Sequence, residues 1–228
     1  MHRNHTGFSI AILLMAYAIG ATASTLYSNT DVDSAFAGFG VTGPGIILDE
    51  VLIPSTDFPV TVGSATFGII NESSAPITVP VYFSQMLDDG TPLQIIPVGT
   101  LSLTGAQGLQ LATLGGRNAL FSTTGNPNAF PSSYPGMSAF YLGLGLSPDL
   151  LWQVAGGSKA NPDSFWIQNP PSQEGQANFG GEPVAAFYLS MDTVAVPEPA
   201  PFWMPILGMS ILLGNAVRRK LKSRCKEI

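Results

Sequence analysis

The stretch Phe140-Tyr141-Leu142-Gly143-Leu144-Gly145-Leu146 sets Phe140, Leu142, Leu144 and Leu146 on one side of the chain and Tyr141, Gly143 and Gly145 on the other. A period of two marks a half-buried strand, because successive side chains of an extended chain point to opposite faces. The same alternation sets Ile77, Val79, Val81 and Phe83 against Thr78, Pro80, Tyr82 and Ser84. Pro80 has no amide hydrogen to give to a ladder, which demotes that strand toward a sheet edge. Residues 46–53 and 183–191 read as two more strands.

Over residues 58–70 the parity changes: Phe58, Val60 and Val62 share one face, then Phe67 and Ile69 take the other. One extra residue near Gly63-Ser64, a β-bulge, would account for it. Shorter runs at 93–98, 100–103, 109–114, 119–122 and 164–168 complete the set. Turn chemistry separates them at Asp88-Asp89-Gly90-Thr91-Pro92, Gly115-Gly116, Gly125-Asn126-Pro127, Gly156-Gly157 and Asn161-Pro162. Residues 125–136 and 169–181, rich in Pro, Gly, Asn and Ser, read as long loops. No 3.6-period stretch of ordinary helix length interrupts the pattern. The expected fold class is all-β: an antiparallel β-sandwich, jelly-roll-like, spanning residues 24–195 as one domain.

Charge is distributed unevenly. The chain carries 15 Asp and Glu against 9 Lys and Arg, a net of −6. Residues 24–196 hold 13 of the acids and only two cations, Arg117 and Lys159, a net of −11. So acidic a body will not bind nucleic acid by charge, and self-repulsion keeps it soluble. Asp31 with Asp33, and Asp88-Asp89-Gly90, could supply oxygen ligands to a structural Ca²⁺, although neither matches an EF-hand loop. No other cofactor and no other metal site is expected.

The single Cys, Cys225, lies at the extreme C-terminal end, and the two His, His2 and His5, lie at the N-terminal end. Residues 24–195 therefore have no disulfide, no Ser-His-Asp or Cys-His nucleophile and none of the usual zinc sites. A carboxylate-based glycosidase needs no His, but spacing places no two acids of the clustered pairs Asp31/Asp33, Asp49/Glu50 and Asp88/Asp89 at the separation it requires, and acids in turns are usually solvated. The reading is non-enzymatic, with no catalytic residue. Aromatics at Tyr134, Tyr141, Trp152, Phe165 and Trp166 fall on or beside expected loops at the sandwich ends. Trp152 and Trp166 are the candidate glycan contacts of a carbohydrate-binding or adhesive module, set against the ordinary role of such rings in core packing.

Residues 1–23 have the form of a secretory signal peptide. Arg3 supplies a positive start, residues 8–19 an apolar core, and Ala21-Thr22-Ala23 a small-residue cleavage site with Ala21 and Ala23 at its key positions. The expected route is the Sec translocon and signal peptidase, leaving Ser24 as the new N-terminus. The other end reads Val196-Pro197-Glu198-Pro199-Ala200-Pro201, then 16 residues (202–217) without an ionisable side chain, then Arg218-Arg219-Lys220 in a basic tail over 218–228. As a helix the apolar run covers ~24 Å, at the lower edge of what crosses a ~30 Å hydrocarbon core. The basic cluster would stop transfer and stay cytoplasmic.

Pro197-Glu198-Pro199, an apolar span and a terminal Arg/Lys cluster, in that order, resemble the PEP-CTERM sorting signal of bacterial exported proteins. The resemblance covers about residues 196–224. It implies an exosortase that recognises Pro197, Glu198 and Pro199, with Arg218, Arg219 and Lys220 as the membrane stop. It also implies export through an inner-membrane intermediate to the cell surface or beyond, often alongside extracellular polysaccharide or matrix. The organisation expected is a signal peptide at 1–23, a sandwich ectodomain at 24–195 and a sorting signal at 196–228. A permanently bitopic membrane protein, never processed, is the plainer alternative.

Overall fold

A computed structural model describes residues 23–31, 37–115, 119–124, 136–156, 164–169, 173–179 and 185–194. The expected signal peptide up to residue 22, and the tripeptide, apolar run and basic tail of the expected sorting signal, lie outside the described residues. Residues Ala23–Ala195 form one compact unit. In chain order its strands are β1 (Thr25–Asn29), β2 (Gly38–Phe39), β3 (Gly45–Pro54), β4 (Val60–Asn71) and β5 (Ile77–Gln85). There follow β6 (Ile96–Leu103), β7 (Gly108–Gly115), β8 (Phe121–Thr123), β9 (Met137–Leu146) and β10 (Leu150–Gly156). The last are β11 (Ser164–Asn169), β12 (Gln173–Asn178), β13 (Ala185–Phe187) and β14 (Leu189–Thr193). Among the described residues the only helical element is a single 3-10 turn, Ser55–Asp57, and no helix is long and apolar enough to cross a membrane.

The fold is all-β, with two antiparallel sheets. One runs β1-β14-β4-β10-β13, with β7 and β8 on the other side of β4 and β2 beside β10. The second runs β12-β11-β3-β9-β5-β6. Val62, Phe67 and Ile69 of β4, Trp152 of β10 and Phe187 of β13 share one core with Ile47 and Val51 of β3, Val79 and Val81 of β5, and Leu142 and Leu144 of β9. The inward faces of the two sheets therefore pack on each other, an arrangement of the β-sandwich type. Aromatic rings concentrate at two places in that core. Trp152 stacks on Phe187 at 4.3 Å, with Phe67, Phe165, Phe39 and Phe179 around them. Phe83 stacks on Phe121 at 4.4 Å, with Phe140 and Phe58 beside them.

The parity change in β4 is a bulge at Gly63. Val60 and Val62 are buried before it, Ala65, Phe67 and Ile69 after it. Across the ladder, Asp192 faces Ser64 while its neighbour Thr193 faces Val62, so Gly63 is the extra residue. The partner on the other side also changes there, from β8 to β7.

Three expectations need correction. β5 is not an edge strand: β6 lies on one side and β9 on the other. Pro80 is tolerated because the ladder with β9 begins only at Val81, one residue past the ring. Residues 169–181 are not one long loop, since β12 pairs with β11 from Gln173 to Asn178. The runs at 93–98 and 100–103 are not separate strands: residues 96–103 form one strand, β6, and 93–95 precede it.

Trp152→Ala should cost about 3–5 kcal/mol, the range for emptying a large aromatic site in a core. Trp166→Ala, on the outer face, should cost clearly less. Urea unfolding followed by far-ultraviolet circular dichroism separates the two.

Candidate binding groove

The outer face of the second sheet is built from the positions that alternate with its core. Register places Trp166 of β11 beside Leu48 of β3, Leu48 beside Gly143 of β9, and Gly143 beside Tyr82 of β5, in one row across four strands. Three strand spacings put the Trp166 and Tyr82 backbones about 14 Å apart. The next row runs Glu174, Gln168, Ile46 and Gly145. A Cβ on Gly143 would collide with the carbonyl oxygen of Ile47. One on Gly145 would meet the Pro80 ring at 2.7 Å and Tyr82 at 3.1 Å. Gly145 thus lets the Tyr82 and Pro80 rings lie down on the sheet, while Gly143 lets the β3 backbone approach closely.

Two depressions open on this face. One, of about 390 Å³, lies between Tyr82, Trp166, Gln168 and Glu174, with residues 91–95 as its wall. The other, of about 480 Å³, runs on past Pro44, Thr78, Pro80 and Ser147. They share Ile46, Tyr82 and Gln168, so together they make one elongated groove. Each falls within the roughly 300–1,000 Å³ of small-molecule sites.

The wall is a tied loop. Leu87 N–H donates to Thr91 O at 2.8 Å, Leu93 N–H to Gln85 O at 2.8 Å, and Gly90 takes φ 82° at the turn. The Thr91 hydroxyl and amide both donate to Asp89 Oδ1, at 2.6 and 2.9 Å, and hold that carboxyl below its ordinary range. Buried Tyr141, next to Gly143 on the outer face, donates its hydroxyl to Gly90 O at 2.7 Å. Burial first, then the charges of Glu50, Asp49 and Asp89, raise the Tyr141 phenol and keep it a donor.

The sequence-derived site residues scatter. Trp166 is half-buried and lines the groove. Trp152, the other candidate glycan contact, is corrected: it is fully buried, stacked on Phe187, with its indole N–H donating to Tyr188 O at 3.0 Å. Phe165 belongs to the core as well, and Tyr134 lies outside the described residues. Ala23 is exposed at the start of the unit, while Ala21, Pro197, Glu198, Pro199, Arg218, Arg219 and Lys220 lie outside the described residues. Tyr82 was missed as a site residue. Its signal was an aromatic on the outer side of one strand and two glycines on the outer side of another.

The acid pairs do not form a two-carboxylate site. Asp49 and Glu50 are both buried inside β3. Asp49 follows Ile47 and Val51 toward the core, and Glu50 follows Leu48 and Leu52 outward, so the two cannot act on one substrate. Glu50 Oε2 accepts from Ser164 Oγ. Asp33 lies outside the described residues, and Asp88 and Asp89 sit in the exposed turn. Among the described residues no three His, Cys, Asp or Glu converge to hold a metal. No protein-family model matches the chain, and no curated protein matches it.

Both carboxylate oxygens of Asp49, and the buried Tyr27 hydroxyl, have no hydrogen-bond partner among the described residues. No Lys, Arg or His occurs among those residues to balance the charge. Burial, then the charge of Glu50, raises the Asp49 carboxyl well above its ordinary value of 3.8. The folded state therefore holds the Asp49 proton more tightly than the unfolded chain does. This group favours folding fully below the ordinary value, and the advantage is lost as pH rises toward the folded one. Asp49→Asn should leave stability nearly unchanged near pH 4 and raise it relative to the parent at pH 8, read from urea midpoints across pH. Tyr141→Phe should cost about 1–3 kcal/mol, because the buried Gly90 carbonyl loses its donor, with faster amide hydrogen exchange over residues 86–95.

Proposed function

We propose that the chain is an exported, non-enzymatic protein, sorted through a C-terminal signal of the PEP-CTERM kind and carried to the cell surface or released. The observation that carries this reading is the order at its end: Pro197-Glu198-Pro199, a run over 202–217 with no ionisable side chain, then Arg218-Arg219-Lys220. Pro197 and Pro199 pre-extend the tripeptide, so a processing enzyme orders little chain in binding it. Glu198 offers that enzyme one carboxylate. The apolar run would hold the intermediate in the inner membrane as a helix, and the basic tail would fix its direction. The signal at 1–23 supplies entry, with cleavage after Ala23. The finer, jelly-roll-like connectivity of the ectodomain belongs to this reading too.

The geometry of the described unit supports it. Ser24, the proposed new N-terminus, donates its amide N–H to Thr193 Oγ1 at 3.2 Å, and Thr193 N–H donates to Ser24 O at 2.9 Å. The chain therefore enters and leaves the sandwich at the same place, and trimming both ends removes nothing from either sheet.

Top-down mass spectrometry of the natural exported product tests the proposal. The expected species starts at Ser24 and lacks residues 202–228, and Glu198→Gln should slow its appearance. Recovery of the full chain, uncut at both ends, from the cytosol would overturn it. An exported form retaining 202–228 would establish the unprocessed bitopic alternative.

A further inference from the structure

We infer that the groove on the outer face of the second sheet binds an uncharged oligosaccharide chain. Three features of the groove point to that chemistry. Tyr82 and Trp166 are half-buried in one row of the outer face with Leu48 and Gly143 between them, so a chain laid along that row meets one flat ring and then another. Sugar rings present apolar C–H faces that such rings cover, with polar edges directed outward. The remaining lining supplies amides that donate as well as accept, those of Gln168 and Gln94, and the hydroxyl oxygen of Thr91, whose proton is given to Asp89 and which is left to accept. Sugar hydroxyls need both functions at once, and amides and hydroxyls are the neutral groups that offer them.

Charge excludes the main competitors. The described residues contain no Lys, Arg or His, and the one carboxylate among the residues lining the groove is that of Glu174. Phosphate, nucleic acid and uronic-acid polymers would meet like charge here and no cation. A single carboxylate also falls short of the pair that glycoside cleavage needs, so the groove holds its ligand and leaves it intact. The floor suits an extended occupant. Gly143 and Gly145 carry no side chain to interrupt it, and the two depressions join end to end through Ile46, Tyr82 and Gln168. A chain of several sugars fits such a trough better than a monosaccharide does.

This inference is independent of how the chain is sorted. The test uses the full chain in a detergent without a sugar headgroup, titrated by isothermal calorimetry with cellohexaose, laminarihexaose, maltohexaose and an oligogalacturonate of the same length. At least one neutral hexasaccharide should bind at or below millimolar concentration, its trisaccharide more weakly, and the oligogalacturonate not at all. Trp166→Ala and Tyr82→Ala should each weaken binding about tenfold or more, with the parent near-ultraviolet circular dichroism of the core retained. Trp152→Phe, a change inside the core, should leave affinity unchanged. Absence of binding by all three neutral probes to the folded chain would overturn the inference. So would tighter binding of the acidic oligomer, or affinity that survives both aromatic substitutions. The processing experiment reads only the ends of the exported product, so either result can fail while the other stands.

Discussion

Trp152 of β10 stacks on Phe187 of β13, both rings fully buried between the two sheets, and this pair anchors one of the two aromatic clusters in the core. Phe67 leans on it from β4, and Phe165 reaches it from the second sheet through Phe187. Each such ring pair adds roughly 0.5–1.5 kcal/mol beyond the area it buries. That matters because other devices are missing from this part of the chain. Residues 24–195 contain no cysteine, and the described residues contain no cation to form an ion pair. Among the described residues, what joins the two sheets is apolar packing. A small change of volume between them is therefore felt directly.

The same absence of cations sets the electrostatics. A buried carboxylate in most proteins finds an arginine or a cluster of donors, and Asp49 has neither among the described residues. Holding a proton is the remaining way to stay inside the sandwich. The phenol of Tyr27 follows the same logic, raised by burial and then by the charges of Asp49 and Glu50. Outside the core, acids stay solvated or cap turns, as Asp89 does with Thr91. The interior tolerates neutral polar groups and the exterior collects negative charge. An acidic surface surrounding a groove with amides and rings follows from that division.

Where side chains alternate strictly, the sequence pattern was readable as structure. β9 and β5 came directly from the period of two, and the parity change in β4 located the Gly63 bulge before any register was known. β12 was not legible, because Gln-Glu-Gly-Gln-Ala-Asn carries no apolar alternation. It is a strand through its ladder with β11, a tertiary contact that local composition does not report. β10 failed in the opposite way. Leu150-Leu151-Trp152 is apolar without alternating, and the glycine pair after it resembled a turn. Trp152 was consequently placed at a surface it never reaches. For the groove, only Trp166 was anticipated. Tyr82 and the two glycines lie on different strands, and only the pairing of β5 with β9 brings them together.

The pairing of β1 with β14 joins the first strand to the last, across 169 residues between Ser24 and Thr193. Closing so long a loop costs conformational entropy that only the finished ladder offsets. The first sheet therefore lacks its final strand until almost the whole unit has been made available to fold. In a chain that crosses a membrane N-terminus first, β14 is the last strand to emerge, immediately ahead of the apolar run at 202–217. Completion of the sandwich and arrival of that run at the membrane would then coincide. A sorting step at Pro197-Glu198-Pro199, four residues past Thr193, would act on a unit whose last ladder has just closed.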